Sequence, residues 1–395
     1  MALRVCLVYD CLYPWTHGGA ERWYRRLAEL LAAAGHDVTY VTRRQWEDDA
    51  APAIAGVRVV AVAAGGPLYS ADGRRRVGPP LRFGAGVLLH LARNRRAYDV
   101  VHCSSFPYFS LLAARLALAG SGTRLFVDWL ELWSAEYWRS YLGPLGGRVG
   151  AAVQAACVRL TPVAFSISPH TARRLRDAGL GAEPIVLPGL YSGPHAVEPA
   201  LDPPRPPQVL FVGRHVPEKR AHLLPAAVAA AAPRVPELRG VVAGEGPERE
   251  RVLEEIARLG VGDRVGAPGR LAEEEVAAAM RSASCLLLPS LREGYGIVVI
   301  EAMSHGTPAV VVSAPDSAAS DLIVEGVNGF TCDPQPDAIA AAVVAAVEGG
   351  AALRRSTAEW FAAHVEAIGA DAAARTVIAA YESAPLAERP ISPNY

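Results

Sequence analysis

Lysine is scarce in this 395-residue chain, while arginine and alanine are abundant. That bias reads as a habit of the coding genome rather than as chemistry. No charge of one sign prevails. The 39 Lys and Arg nearly balance the 40 Asp and Glu, for a formal net charge of −1, so the whole-chain balance offers no argument for nucleic acid. Cysteine is sparse: Cys6, Cys11, Cys103, Cys157, Cys285 and Cys332. None forms a C-x-x-C pair and none has a Cys/His ligand spacing, which leaves no zinc or redox motif. Several sit in apolar runs such as Val5-Cys6-Leu7 and Ser284-Cys285-Leu286, as small buried residues of a reducing cytosol do. The apolar start, Met1 to Tyr9, is too short for a signal peptide and is followed by Asp10. No stretch is expected to reach the ~18–20 apolar residues of a membrane span. No repeat of roughly 20–50 residues is evident, which argues against a solenoid. A cytoplasmic chain is expected.

What is present is an ordinary globular composition, 51% apolar and 20% charged, at a length that suits two domains. The first half alternates strand and helix. Leu3 to Tyr9 is a continuous apolar run, as in a buried parallel strand. Residues 19–34 have helical spacing with Trp23, Leu27, Leu30 and Leu31 on one face, and Gly35 ends them before the strand from Asp37 to Val41. Further strands are expected at Val57–Val62, Asp99–Cys103, Arg124–Val127 and Ala164–Ile167. Seven prolines then fall between Pro188 and Pro207, a density that excludes helix and central strand and marks a linker over 191–207. The alternation restarts at Gln208, with strands at 208–213, 238–243, 285–289 and 309–313, helices between them, and an Ala-rich helical tail over 337–383. Repeated units of this kind imply α/β architecture: two doubly wound, Rossmann-like domains, at 1–190 and 208–355, facing a central cleft. Ligands of such sheets bind beyond the carboxyl ends of the strands.

One segment concentrates chemistry: Glu293-Gly-Tyr-Gly-Ile-Val-Val-Ile-Glu301, between a buried strand and a helix. Gly294 and Gly296 permit a tight turn and a close approach of backbone to ligand. The amides of Tyr295, Gly296 and Ile297 lie at a helix N-terminus, which favours phosphate. Glu293 and Glu301 are acceptors suited to vicinal hydroxyls. Spacing alone leaves open a plain glycine turn with two solvated glutamates. Arg214 and Lys219 follow the first strand of the second domain, where two cations would stabilise charge growing on a diphosphate leaving group.

The stretch Pro289-Ser-Leu-Arg-Glu293-Gly-Tyr-Gly to Glu301-Ala-Met-Ser-His-Gly-Thr-Pro308 resembles the E-x7-E signature of glycosyltransferase family 4 at every fixed position. The resemblance extends in order along nearly the whole chain. It takes in Gly18-Gly19-Ala20-Glu21-Arg22, Gly213-Arg214 to Lys219, Gly244-Glu-Gly246-Pro247, Pro268-Gly269-Arg270-Leu271 and Gly326-Val-Asn328-Gly329. It implies the GT-B fold and a retaining transfer of a sugar from a nucleotide-diphosphate sugar, a UDP- or GDP-sugar, to a hydroxyl of a glycan, lipid-linked or natural-product acceptor. It also implies no cofactor and no metal, and no Asp-x-Asp pair suited to a divalent ion stands out. On this reading Arg214, Lys219 and Glu293 act on the donor's reacting end, with Gly18, Gly19, Gly213, Arg270, Gly294, Tyr295, Gly296, Ile297 and Glu301 binding it. The resemblance further implies that a last helix, about 356–385, crosses back onto the first domain, with Trp360, Phe361 and Tyr381 as packing anchors.

Acceptor-side expectations are weaker. Many members carry a histidine where this chain has Leu130, flanked by Asp128 and Glu131. Either acid could orient an acceptor hydroxyl or take its proton. Trp129, Trp133, Tyr137 and Trp138 could stack on sugar faces or form an aromatic core, and His17 could face the cleft. Between Gly73 and Tyr98 there are seven arginines, 74, 75, 76, 82, 93, 95 and 96, and no acid. A solvated helix and loop is the first reading of that segment. A patch for anionic lipid, holding the protein at the inner face of a membrane, is the second. Two other functions stay open: a nucleotide-sugar-converting enzyme of epimerase type, which would need no acceptor, and a non-catalytic sugar-nucleotide-binding protein, which would show no turnover.

Overall fold

A computed structural model describes residues 2–47, 51–68, 76–194, 201–202 and 205–383. The chain folds into two compact units, one reaching Ser192 and resuming at Ile368, the other spanning Gly193–Ala367. Pro199, Pro203 and Pro204 of the proline-rich stretch, and Arg74 and Arg75 of the basic segment, lie outside the described residues.

The first unit holds seven strands: β1 Arg4–Val8, β2 Asp37–Arg43, β3 Val57–Ala63, β4 Val100–Ser104, β5 Arg124–Trp129, β6 Val163–Ser166 and β7 Ile185–Val186. Five helices connect them: α1 Gly19–Ala33, α2 Gly78–Asn94, α3 Tyr108–Ala117, α4 Ala135–Leu160 and α5 Pro169–Asp177. All pairings are parallel, in the order β3-β2-β1-β4-β5-β6-β7. The apolar runs read from the sequence are the buried β1 and β4, as a sheet covered on both faces requires. Helix starts are chemically marked. Ser134 accepts from the Tyr137 N–H (3.1 Å) ahead of α4, and Ser168 accepts from the Thr171 N–H (3.1 Å) ahead of α5, which has Pro169 in its first turn. Helices α2, α3 and α4 bury Phe83, Val87, Leu111, Ala114, Trp138 and Val158 in one core with β1, β4 and β5. Each large apolar side chain contributes roughly 1.5–3 kcal/mol when fully buried.

The second unit repeats the scheme. Its strands are β8 Gln208–Val212, β9 Arg239–Ala243, β10 Val265–Gly269, β11 Cys285–Leu288, β12 Arg292–Glu293, β13 Ala309–Val312, β14 Asp316–Ser317 and β15 Gly329–Cys332. Its helices are α6 Leu223–Ala231, α7 Arg249–Leu259, α8 Glu273–Ser282, α9 Ile297–Ser304 and α10 Pro336–Ile368. The six-stranded parallel sheet runs β10-β9-β8-β11-β13-β15, and β12 pairs with β14 apart from it. Strands β10 and β15 were not expected from the sequence. Both are edges, where Pro268 in β10 is tolerated because an edge strand need not donate on both sides.

Helix α10 is long and apolar enough, by length and composition, to cross a membrane, contrary to the expectation that no stretch would be. Its path breaks at Gly350, and Ile339, Val343, Val344 and Leu353 pack in the core of the second unit. Alanine supplies much of its apolar character, and alanine in a helix serves propensity and close packing as well. Trp360 and Phe361 belong to the stretch assigned to this second unit. The chain rejoins the first unit at Ile368, where the Tyr191 N–H donates to its carbonyl (3.2 Å). Helix α11, Ala370–Ser383, then packs on α1, with Tyr381 fully buried.

Candidate functional site

In each sheet the strand order reverses beside the first strand of the unit: at β1/β4 in the first and at β8/β11 in the second. Loops leaving the carboxyl ends of such strands diverge and leave a crevice for ligand. In the second unit those loops carry Gly213, Arg214 and Lys219 after β8, and Glu293, Gly294, Tyr295 and Gly296 after β11. Arg270 is exposed after β10.

The loop after β8 is held by its neighbours. The Gly213 N–H donates to the Ala243 carbonyl (3.1 Å), His215 N–H to Glu245 (2.8 Å), and Glu248 N–H back to the His215 carbonyl (2.9 Å). A side chain at Gly246, whose φ is 150°, would collide with the His215 carbonyl, so the Gly-Glu-Gly-Pro loop is glycine where two backbones touch. His215 is fully buried, and burial together with Arg249 holds its imidazole below its usual pKa. This leaves the exposed Arg214 on a braced backbone.

Lys219 closes a short 3-10 turn, Pro217–Lys219, and its ammonium is paired with the Glu293 carboxylate. Beside this pair a second one runs in the opposite sense, Arg292 to Glu218, and the Leu291 N–H donates to the Glu218 carbonyl (2.9 Å). The two loops are thus joined by crossed ion pairs. The side-chain exposures, 22% and 10% for Lys219 and Glu293 and 11% and 16% for Arg292 and Glu218, keep solvent from screening them fully. The sequence singles out Lys219 and Glu293 but not Glu218 and Arg292. Each of these is the neighbour of a flagged residue of opposite charge, which was the available signal. Glu293 is further fixed by its own carbonyl, which accepts from the Ala318 N–H (2.8 Å).

Gly296 caps α9 with φ 96°, and a Cβ there would lie 2.9 Å from the Ala319 Cβ. The turn therefore requires glycine, and it starts α9 directly behind the Lys219–Glu293 pair. The Tyr295 ring is buried, and burial pushes its hydroxyl up to about 12. Ile297 opens α9 and Glu301 sits half-buried within it.

In the first unit, Gly18 and Gly19 lie between β1 and α1, and exposed His17 stands edge-on to Tyr13. The loop before them is tied to β2 through Gln45, whose Oε1 accepts from the Leu12 N–H (3.2 Å) and the Thr16 hydroxyl (2.5 Å). Trp15 and Trp46 meet edge to face beside it, an aromatic pair hidden in the sequence because the two are far apart in the chain.

Three acceptor-side expectations are corrected. Asp128 is at the end of β5 with its side chain enclosed. Oδ2 accepts from Trp23 Nε1 (2.9 Å), and Oδ1 lies 2.8 Å from Nε2 of the equally buried His102. His102 Nδ1 in turn meets the Tyr381 hydroxyl at 2.6 Å. This carboxylate anchors a buried network that holds α11 and is not open to an acceptor hydroxyl. Trp129 is 0% exposed with Nε1 donating to Thr161 (3.2 Å), and Trp133 is 8% exposed among Phe106, Tyr137, Trp138 and Tyr141. Both are core, not stacking platforms. Glu131 accepts from Trp133 Nε1 (2.8 Å) and stays half-buried, as does Tyr137. Among the described residues no three His, Cys, Asp or Glu side chains gather as a metal-ligand set.

Comparison with known proteins follows the same division. Residues 18–189 match the family model described as glycosyl transferase 4-like domain, and residues 197–359 match glycosyl transferases group 1. Glycogen synthase of Mycobacterium tuberculosis is 26% identical over 371 residues, covering 89% of this chain and 88% of its own. Among solved structures, sucrose-phosphate synthase from Thermosynechococcus elongatus superposes with TM-score 0.78 at 20% identity, over 96% of this chain and 98% of its own. HepE of Anabaena, solved with UDP and glucose, superposes with TM-score 0.70 at 18% identity, over 97% and 100%.

Proposed function

Because the chain belongs to the GT-B glycosyltransferases of family-4 type, we propose that it moves a sugar, with retention at the anomeric carbon, from a nucleoside diphosphate sugar to a hydroxyl of a carbohydrate-containing acceptor. The observation that carries this reading is the Lys219–Glu293 pair in front of the Gly296 turn. A cation, a carboxylate and a helix N-terminus stand together at the switch point of one sheet. A diphosphate brings negative charge to the cation and to the α9 amides, while its sugar brings hydroxyls to the carboxylate.

In this reading Arg214 and Lys219 stabilise the departing diphosphate, whose charge grows in the transition state. Glu293 orients the donor sugar and is released from Lys219 in part as the phosphates arrive. Glu301 binds the nucleotide ribose. The backbones of Gly213, Gly294, Tyr295, Gly296 and Ile297, with the Arg270 side chain, complete the donor site. Within the first unit, Gly18 and Gly19 are the backbone candidates for donor contact, and His17, Glu131 and Tyr137 are the acceptor-side candidates that remain. The cations take the role a divalent ion would otherwise fill, so transfer continues at its full rate in chelator.

UDP and glucose in HepE are in keeping with such a donor. Titration calorimetry with UDP-, GDP- and ADP-sugars is the first experiment, and one of them is expected to bind. Glu301→Ala weakens that binding, and Arg214→Ala/Lys219→Ala abolishes transfer to any acceptor. Intact binding and transfer in both variants would end the reading. An altered nucleotide sugar released without acceptor would point to an epimerase-type enzyme instead.

A further inference from the structure

We propose that Trp15 is the platform on which the first unit binds its acceptor, and that the acceptor ends in a pyranose ring laid flat against the indole. The proposal rests on the transferase reading and names the class of acceptor within it. Among the described residues Trp15 is the one Phe, Tyr or Trp that is exposed, at 42%; every other is buried or half-buried. A single apolar side chain on a surface is ordinary, so its place is what counts. Trp15 lies in the loop that leaves the carboxyl end of β1, beside the β1/β4 switch point, where a doubly wound sheet opens its ligand crevice. Trp129 and Trp133, which the sequence offered for stacking, are core. Trp15 fills the role they leave vacant.

The ring is fixed before any ligand arrives. Its turn is closed by the Thr16 N–H, which donates to the Leu12 carbonyl (3.1 Å). Gln45, directly after β2, spans that turn: Oε1 accepts from Leu12 and Thr16, while Nε2 donates to the Thr42 hydroxyl (3.3 Å) and the Arg43 carbonyl (3.2 Å). Trp46, itself buried, meets Trp15 edge to face with 6.2 Å between ring centroids. The exposed indole is thus held by two strand exits at once. A side chain ordered in advance loses little freedom on binding, which favours affinity.

The surroundings select the occupant. Thr16 and the exposed His17 follow Trp15 in the chain, and Gln45 braces its turn. A ligand here must therefore be apolar on one face and polar at its rim. A pyranose with equatorial hydroxyls meets both demands. Its axial C–H bonds form an apolar face for the indole, and its hydroxyls point outward in the plane of the ring toward polar neighbours. An acyl chain would cover those polar groups without offering them a hydrogen bond.

The test compares the full chain with its Trp15→Ala and Trp15→Tyr variants. The probes are maltotriose, cellotriose and mannotriose, with myo-inositol 1-phosphate as an acceptor that lacks a pyranose. One of the trisaccharides is expected to quench the tryptophan fluorescence of the parent and to receive sugar from the donor. In Trp15→Ala that quenching disappears and the KM for the trisaccharide rises about tenfold, whereas Trp15→Tyr stays within about threefold of the parent. Donor Kd, measured by calorimetry with the nucleotide sugar that the parent binds, keeps the parent's value in both variants. The side chain is exposed, so their thermal midpoints should match the parent's and confirm that they fold. A parent that binds its donor but neither responds to any trisaccharide nor glycosylates one would overturn the platform and leave the transferase reading standing. A parent-like KM in Trp15→Ala would do the same, as would quenching of Trp15 by the nucleotide in place of the trisaccharide. A parent that binds no nucleotide sugar would instead remove the transferase reading, and the platform with it.

Discussion

At the scale of single residues, the chain separates acids that chemistry can reach from acids that structure has used up. Asp128 and Glu293 both end or follow a parallel strand, and from sequence each was a candidate for catalysis. Glu293 keeps one side toward solvent and shares a cation, whereas Asp128 is closed in by Trp23 and His102. Hydrogen bonds to a charged group contribute about 1.5–3 kcal/mol each. Asp128→Asn is therefore expected to lower the melting temperature by several degrees while the folded fraction keeps its kcat. A large loss of kcat at unchanged melting temperature would reverse this assignment. Lys219→Ala, by contrast, should leave stability nearly intact and lower kcat about 10²–10³-fold, as removal of one charge-stabilising donor does elsewhere. Combined with Glu293→Gln in a double-mutant cycle, it should give a donor-binding coupling of about 0.5–3 kcal/mol, because the two side chains touch. Additive effects would show that the pair acts as two independent groups.

At the scale of elements, the glycine turn before α9 decides where the helix points. Gly296 sits in the left-handed region with Ala319 against the place a Cβ would occupy. Gly296→Ala costs ~1–2 kcal/mol from backbone conformation alone, and relief of the contact must tilt the first turn of α9. Donor affinity measured by calorimetry is expected to fall more than stability measured by denaturant. Equal affinity in the variant would mean that the α9 amides do not contact the donor. This turn was legible in the sequence because both glycines and both glutamates lie within nine consecutive positions. The brace behind Arg214 was legible only in part. Gly244 and Gly246 announced a tight loop, but nothing local said that the loop presses on His215. The edge strands β10 and β15 escaped for a related reason. Strands with one neighbour need neither long apolar runs nor an absence of proline and glycine, so their composition resembles a loop.

At the scale of the whole molecule, five histidines share one electrostatic fate. His36, His90, His215, His222 and His305 all have lowered pKa values, with burial as the largest cause in each. The unfolded chain binds protons at these sites near the ordinary value of about 6.5, while the folded chain resists them. Unfolding therefore takes up protons, and stability must fall as pH drops through that value toward the folded pKa values. A melting temperature that decreases steadily from neutral pH to pH ~5 is expected, in differential scanning calorimetry at constant ionic strength. A flat profile across that window would show that these imidazoles take up protons in the native state as readily as in the unfolded chain.

The sequence by itself determined the two doubly wound halves, their order, and the glycine turn between Glu293 and Glu301. Buried parallel strands must be continuous apolar runs, and a tight strand-to-helix turn must spend glycine where the backbone is left-handed; both are local demands that local residues reveal. Tertiary structure alone decided which side chains remain available to a ligand. Asp128 and Trp129 became interior when His102, Trp23 and Tyr381, distant in the chain, closed around that region, and Lys219 met Glu293 only because β8 and β11 are neighbours in the sheet. Burial and ion pairing depend on what arrives from elsewhere in the chain, and one-dimensional spacing does not carry that information.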